Sequence, residues 1–405
     1  MLNMQKLMLS AAVLSLLWTA ACQSSTKKAD TEMANTPAAG TPETDSTTAD
    51  TSAINYALPD PKAFDGTIEG KKTALYILKG DKIQVAITNY GARIVSLIAP
   101  DKDGKPVDVA LGFSNISDYE KPGAAFFGPV VGRFGNRIGK ATFTLDGKTY
   151  KTEQNNNGNT LHGGPSGFHS HVWDAKQIDD KTLQLTYLSK DGEGGFPGNL
   201  TTTVTYSIVD GNALKLDYKA TTDKATPVNP TSHGFFNLNG EGSGTINNHV
   251  LMIDADRYSV VDKGLIPQGE PQPVAGTPFD FRKPTPIGAR VDTPNNEQLK
   301  FAGGYDHNWV LNTKVGTLAK IAEVTGDKSG IKMTIMTTEP AIQFYGGNFF
   351  NGKDKGKYGR AINLREALAL ETQHYPDSPN HPTYPNTILK PGQTYTQTTV
   401  YAFGQ

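Results

Sequence analysis

A chain of 405 residues with a formal net charge of −1 has room for one large domain or two ordinary ones, and it carries no global basic field that would draw nucleic acid. Its single cysteine excludes an internal disulfide and any metal site built on several thiolates. With 42 glycines and 25 prolines beside many threonines, tyrosines and valines, the composition favours strands joined by turns over a helical bundle.

Residues 1–21 read as an export signal. Lys6 gives a positive start, Leu7 to Trp18 a short apolar core, and Thr19-Ala20-Ala21 a small-residue cleavage region. The apolar stretch is too short for a comfortable membrane span. Cys22 follows at once, and the run resembles a bacterial lipoprotein signal, in which the cysteine becomes the lipidated N-terminus. Thr19 stands where that pattern usually has leucine, and a plain secretory signal is the alternative. Residues 22–55 then read as a lipidated cysteine and a disordered tether. The stretch is mostly Ser, Thr, Ala, Asp, Glu, Lys and Pro, with hardly any large apolar residue, and is too polar to offset its ordering entropy. Such a coil reaches roughly 30 Å, enough to hold a domain clear of a membrane surface.

From residue 56 onward strand signals recur, with no second tether before residue 405. Thr73–Leu78 and Ile83–Thr88 flank the hairpin signal Lys79-Gly80-Asp81-Lys82. Arg93–Ala99 with Val107–Leu111, and Ala141–Leu145 with Thr149–Thr152, flank glycine-containing turns. Further strand-like runs are Leu183–Leu188, Thr201–Val209, Leu214–Ala220, Val250–Ile253, Lys332–Thr337, Ile342–Tyr345 and Thr394–Phe403. One large all-β domain is expected, and sandwiches do reach this size. Arg365–Glu371 has the best helical period in the chain. Propensity there says helix and position says strand, so its type is left open.

Four stretches concentrate candidate chemistry. In Ala369 to Pro382 an apolar run ends in Glu371 and a proline-rich polar segment follows. Prolines extend neither a helix nor a central strand. Glu371 is therefore placed where a buried element gives way to a rigid loop, and low dielectric there raises a carboxylate toward a general base's working range. An exposed glutamate at an element end is the plainer alternative. His162 precedes two glycines on a polar loop, with no bulky neighbour to bury it. His233 opens the aromatic run Gly234-Phe235-Phe236. Gly304-Tyr305-Asp306-His307-Asn308-Trp309 gathers an acid, an amide and two aromatics, which suits a sugar with an apolar CH face and hydroxyls to satisfy. For each histidine alone, a structural role is the plainer reading.

Two other constellations are weaker. Gly132-Arg133-Phe134-Gly135-Asn136-Arg137 could cradle a phosphate, but the P-loop lysine and hydroxyl pair are missing. A tight loop with a solvated arginine is the alternative. His169 and His171 would point to one side of an extended segment. With no His-Glu-x-x-His and no cysteine partner, no zinc site is expected.

Taken in order, six segments resemble the aldose 1-epimerase (galactose mutarotase) family: Gly132 to Ile138, Leu161 to Gly164, Thr231 to His233, Gly304 to His307, Glu339 to Tyr345 and Leu370 to Gln373. The resemblance spans roughly residues 60–405. It implies a large β-sandwich of the galactose mutarotase-like supersandwich type, a catalytic domain over residues 56–405, and interconversion of the α and β anomers of free aldoses. It implies Glu371 as general base and His233 as general acid. His162, Arg137 and Asp306, with Asn136 and Gln343 as less specific matches, are implied to bind the substrate. No metal and no cofactor are implied. Ser232-His233-Gly234-Phe235 stands where members commonly have Asn-His-Ser-Tyr, which bears on substrate preference. In a pH profile the acid limb is assigned to Glu371 taking up a proton and the alkaline limb to His233 losing one. The expected partner is a small aldose, with no nucleic acid. Membrane contact is expected through the lipid on Cys22 only, with an extracytoplasmic, cell-envelope location and a monomeric state. An epimerase of a modified or phosphorylated hexose and a non-catalytic carbohydrate-binding protein are the alternatives.

Overall fold

Alternation with period two sends side chains to opposite faces of a strand, and Thr182–Ser189, Leu200–Val209 and Lys332–Thr337 show it in their burial. The structure is a computed structural model that describes residues 54–121 and 123–405. The export signal, Cys22 and the tether lie outside the described residues, apart from the last two positions of the tether. After a short antiparallel hairpin of Gly66–Ile68 with Lys71–Thr73, β1 (Leu75–Lys79), β2 (Gln84–Thr88), β3 (Arg93–Pro100) and β4 (Pro106–Asp108) form an antiparallel sheet in sequence order. The hairpin expected at Lys79–Lys82 closes with Leu78 opposite Val85.

The chain continues through β5 (Asp174–Gln177), β6 (Thr182–Ser189), β7 (Leu200–Val209), β8 (Ala213–Thr222), β9 (Phe235–Phe236), β10 (Val250–Ile253), β11 (Arg257–Tyr258), β12 (Gln272–Pro273) and β13 (Thr285–Pro286). Then come β14 (Asp306–Val310), β15 (Ala319–Thr325), β16 (Lys332–Thr337), β17 (Ala341–Tyr345), β18 (Leu368–Gln373) and β19 (Tyr395–Gly404). They sort into two large antiparallel sheets. One runs β5-β6-β7-β8-β19-β16-β15-β10-β13 and the other β9-β18-β17-β14-β11-β12. The all-β sandwich expected from the sequence is what forms.

The two sheets meet through β18 and β19. Thr372 Oγ1 and Thr399 Oγ1 are 2.6 Å apart, and the Tyr401 hydroxyl donates to the Leu370 carbonyl at 3.2 Å. One apolar cluster fills the space around them, with Leu251, Ile335, Phe344, Leu368, Leu370 and Tyr401 among its members. Each such side chain contributes about 1.5–3 kcal/mol by leaving water.

All six residues of β18 are buried. Leu368, Leu370 and Thr372 pack toward the large core, so period two turns Ala369, Glu371 and Gln373 to the other face. From Leu368 onward the segment whose local period suggested a helix is thus a strand, because neighbours cover both faces and tertiary packing overrides propensity. Glu371 does not stand at the edge expected for it. It is inside the strand, two residues before the proline-rich loop.

Candidate active site

β14, β17 and β18 lay a polar row across the sheet. Asn308 pairs with Gln343, and Gln343 pairs with Glu371. Directly opposed residues on one face touch, so these strands bring together side chains far apart in sequence. Asp306 is two residues before Asn308 and shares its face. Its Oδ1 accepts from Gln343 Nε2 at 2.7 Å, and its Oδ2 accepts from Arg137 Nη2 at 3.2 Å. Gln343 therefore stands one layer behind Asp306. Arg137 also donates through Nε to Asn156 Oδ1 at 3.2 Å.

Arg137 arrives on a loop that is locked to His162. The Asn136 N–H donates to His162 Nδ1 (3.1 Å), and the His162 N–H donates back to the Asn136 carbonyl (3.0 Å). Both residues have left-handed backbones, with φ of 61° and 54°. Non-glycine residues adopt that state at a cost of about 1–3 kcal/mol, which concentrates at functional sites. Gly163 continues the turn at φ 88°, and a Cβ there would lie 1.9 Å from the Gly132 carbonyl oxygen. The glycines that seemed to leave His162 exposed instead let the loop press close, and His162 is only 4% exposed.

His233 is carried on the segment leading into β9. Its Nε2 faces Glu371 Oε1 at 3.5 Å, and both side chains are buried. Asn229, four residues earlier, clamps the surrounding pieces. Its amide donates to the carbonyls of Gly135 (3.2 Å) and His374 (3.3 Å), and its Oδ1 accepts the His374 N–H (2.9 Å). One buried amide thus ties the Arg137 loop, the His233 segment and the end of the Glu371 strand.

These groups line a cavity of about 330 Å³. Asn136, Arg137, His162, His233, Asp306 and Glu371 form its polar wall, and Phe126, Phe127, Phe235, Tyr345, Phe349 and Phe350 an aromatic one. The His162 and His233 rings meet edge to face at 5.0 Å. A groove of about 600 Å³ elsewhere contains His374 and Glu339, which already satisfy each other at 2.5 Å.

Burial pushes the Glu371 carboxyl well above its ordinary range, and the Asp306 charge adds to this while Arg137 opposes it. Burial lowers His233 to about 4, and Asp306 and nearby main-chain carbonyls only partly restore its basicity. His162 is held well below the usual histidine range, again by burial first. Among the described residues, Glu371 Oε2 has no hydrogen-bond partner. A buried pair of this kind favours the neutral carboxylic acid beside the neutral imidazole.

Among the described residues, His162, His233 and Glu371 place ligand atoms within 4.8 Å of one another. His162 Nδ1 accepts an N–H, however, so the neutral ring keeps its proton on Nε2. That tautomer donates to an oxygen and withholds the lone pair a metal would need there.

The other candidates fall outside the cavity. Arg133 is neither a phosphate ligand nor solvated. It is 2% exposed, and its guanidinium donates to the carbonyls of Ser189, Lys190, Pro197 and Gly198. His171 bonds to Glu69 (2.9 Å) and the Ser166 carbonyl, while His169 packs on Phe126. His307 points to the opposite face from Asp306 and packs on Phe279. Sequence reasoning missed Phe126 and the Asn229 clamp. Asn229 lies two residues before the Thr231–His233 segment, and nothing local marked it as a junction.

The family model described as aldose 1-epimerase matches residues 74–402. A galactose mutarotase of Sus scrofa is 41% identical over 338 residues, covering 84% of this chain and 94% of that protein. An aldose 1-epimerase of Escherichia coli (strain K12) is 39% identical over 322 residues, 79% of this chain and 91% of that one. The crystal structure of galactose 1-epimerase from Lactobacillus acidophilus NCFM superposes with a TM-score of 0.73 at 27% identity, over 84% of this chain and 96% of that one. The matched region runs from β1 into β19 and takes in every segment that frames the cavity, so this chain belongs to the aldose 1-epimerase family.

Proposed function

We propose that the protein interconverts the α and β anomers of a free hexose such as galactose or glucose, with Glu371 as general base and His233 as general acid. The observation that carries the reading is a buried carboxylate with one unpartnered oxygen, facing an imidazole at 3.5 Å on the wall of a polar–aromatic cavity. Two groups so close suit two oxygens bonded to one carbon, as O1 and O5 of a pyranose are.

Before sugar binds, the pair holds one proton, on Glu371. When the C1 hydroxyl donates to the free oxygen of Glu371, it favours the carboxylate, and the pair's proton moves to His233. The carboxylate then takes the C1 hydroxyl proton. The C1–O5 bond breaks with its electron pair going to O5, and O5 takes the imidazolium proton. C1 becomes an aldehyde, the C1–C2 bond rotates, and closure on the other face reverses both transfers. Each positioned group typically supplies about 10²–10⁴ in rate. His162, through its Nε2–H, and Arg137 donate to sugar oxygens, and Asp306 accepts from a hydroxyl. The rings of the aromatic wall cover the sugar's CH face.

Polarimetry of freshly dissolved α-galactose and α-glucose tests this. The protein should speed the approach to the equilibrium rotation. Aldose binding without acceleration would leave only a carbohydrate-binding role.

We further propose that Cys22 carries a lipid holding the domain on the outer side of a bacterial membrane, on the strength of the pattern in residues 1–22 alone. Cys22→Ser should move the protein from the membrane to the soluble fraction, and a variant still in the membrane pellet overturns the anchor.

A further inference from the structure

Arg93 carries a charge that this mechanism does not use. Its side chain is 1% exposed, and among the described residues its guanidinium hydrogen-bonds to main-chain carbonyls only. Nη1 donates to Ala124 (3.4 Å), Ala125 (2.8 Å) and Phe127 (3.0 Å), and Nη2 donates to His169 (2.7 Å). The Tyr90 and Tyr119 rings lie 5.1 and 5.2 Å from its Cζ. Gly91, at φ 71°, leaves the room this needs, since a Cβ there would come within 3.0 Å of Arg93 Nε and 2.7 Å of the His169 carbonyl oxygen. A buried guanidinium with no carboxylate beside it is costly to keep. An apolar side chain would fill the strand position without that cost.

What the charge holds is one wall of the cavity. The 124–127 loop and the turn at His169 are separate pieces of chain, and Arg93 grips both. Phe126 lies between them, with its ring 4.8 Å from His162, 5.0 Å from His169 and 5.8 Å from His233. We propose that Arg93 is a positioning residue that pins these two segments, so that Phe126 stays packed on the His162–His233 pair and closes that side of the cavity. The kinetic part of this proposal rests on reading the cavity as the hexose site; the packing part does not.

Four variants test it: Arg93→Met, Phe126→Ala, the double variant, and Arg93→Lys, which should recover part of the Arg93→Met loss. In the folded proteins, each single change should lower kcat/KM for galactose by roughly 10- to 100-fold, mostly through KM. The double variant should be no worse than the poorer single, because both remove the same wall. Effects that multiply, or an unchanged KM in folded Arg93→Met, overturn the proposal. The histidine Cε1–H resonances of His162 and His233 give a readout that needs no turnover. Phe126→Ala should shift both, and Arg93→Met should shift them the same way. Wild-type positions in Arg93→Met overturn the proposal whether or not the protein is a mutarotase, while absent mutarotation with shifted resonances overturns only the hexose reading.

Discussion

Two histidine–glutamate pairs, one fully buried and one partly, neighbour each other along the chain through Glu371 and His374, three positions apart. Just past β18, His374 Nδ1 sits 2.5 Å from Glu339 Oε2, and Tyr395 donates to the other Glu339 oxygen at 3.4 Å. Burial works against a charge on His374, yet the Glu339 carboxylate and its hydrogen bond raise its proton affinity above the ordinary value. Within β18, Glu371 faces His233 across 3.5 Å and keeps one oxygen free. There burial wins on both sides, raising the carboxyl and lowering the imidazole. The first pair is closed on itself and favours the charged imidazolium. The second is held apart, neutral and left with capacity for another molecule's hydroxyls. Similar groups thus give a staple or an acid–base pair according to about one ångström of separation.

The sharpest way to break this comparison is to neutralise each acid in turn. Glu371→Gln and His233→Asn should each lower kcat by roughly 10² or more, while Glu339→Gln leaves kcat within severalfold of wild type. Polarimetric rates decide, and a fast Glu371→Gln enzyme would place the base elsewhere.

Stability should show the reverse order. Glu339→Gln leaves His374 buried without its counter-charge, and denaturant unfolding should show a loss of about 3 kcal/mol. Glu371→Gln should instead stabilise. Glu371 has a raised folded-state pKa, so its contribution is fully present below the unfolded value near 4.5 and is lost as pH rises through the folded one. The glutamine variant's advantage in Tm should therefore grow from pH 5 to pH 9. An advantage that is flat with pH would mean that Glu371 titrates normally.

A subtler test is the pH profile of kcat/KM. It should be bell-shaped, but with the limbs exchanged relative to the sequence-based assignment. The acid limb is His233 gaining a second proton for the pair, near its lowered value of about 4. The alkaline limb is the pair losing its one proton, held by Glu371. Both values belong to the pair. In Glu371→Gln, residual activity should lack the alkaline limb, and loss of the acid limb instead would restore the simpler assignment.

Much of this was legible in the sequence where the signal is local. Turn chemistry located the hairpins, and the residues around His162, His233, Asp306 and Glu371 identified the family. What escaped depends on covering by distant chain. The helical period of Arg365–Glu371 says nothing of β9 and β17 flanking it. A histidine before two glycines looks exposed until Gly132 and Phe126 close over it. Arg133 and Arg137 look alike in one loop, but one spends its donors on carbonyls near Pro197 while the other meets Asp306, 169 positions away. Arg93 opens an apolar strand, and only the fold shows which carbonyls it collects.

The placement of Glu371 inside β18 also governs how activity fades. A strand buried on both faces and paired to β17 opens to solvent only when a large cooperative unit of the protein opens, so its amides should be among the last to exchange with deuterium. Phe349, on the cavity rim, is 58% exposed and is free of that constraint. On heating, substrate recognition at the rim would loosen first, whereas the carboxylate would keep its place until the fold itself gives way. Inactivated but still folded molecules should therefore be deficient in affinity, with an intact turnover number at saturating sugar.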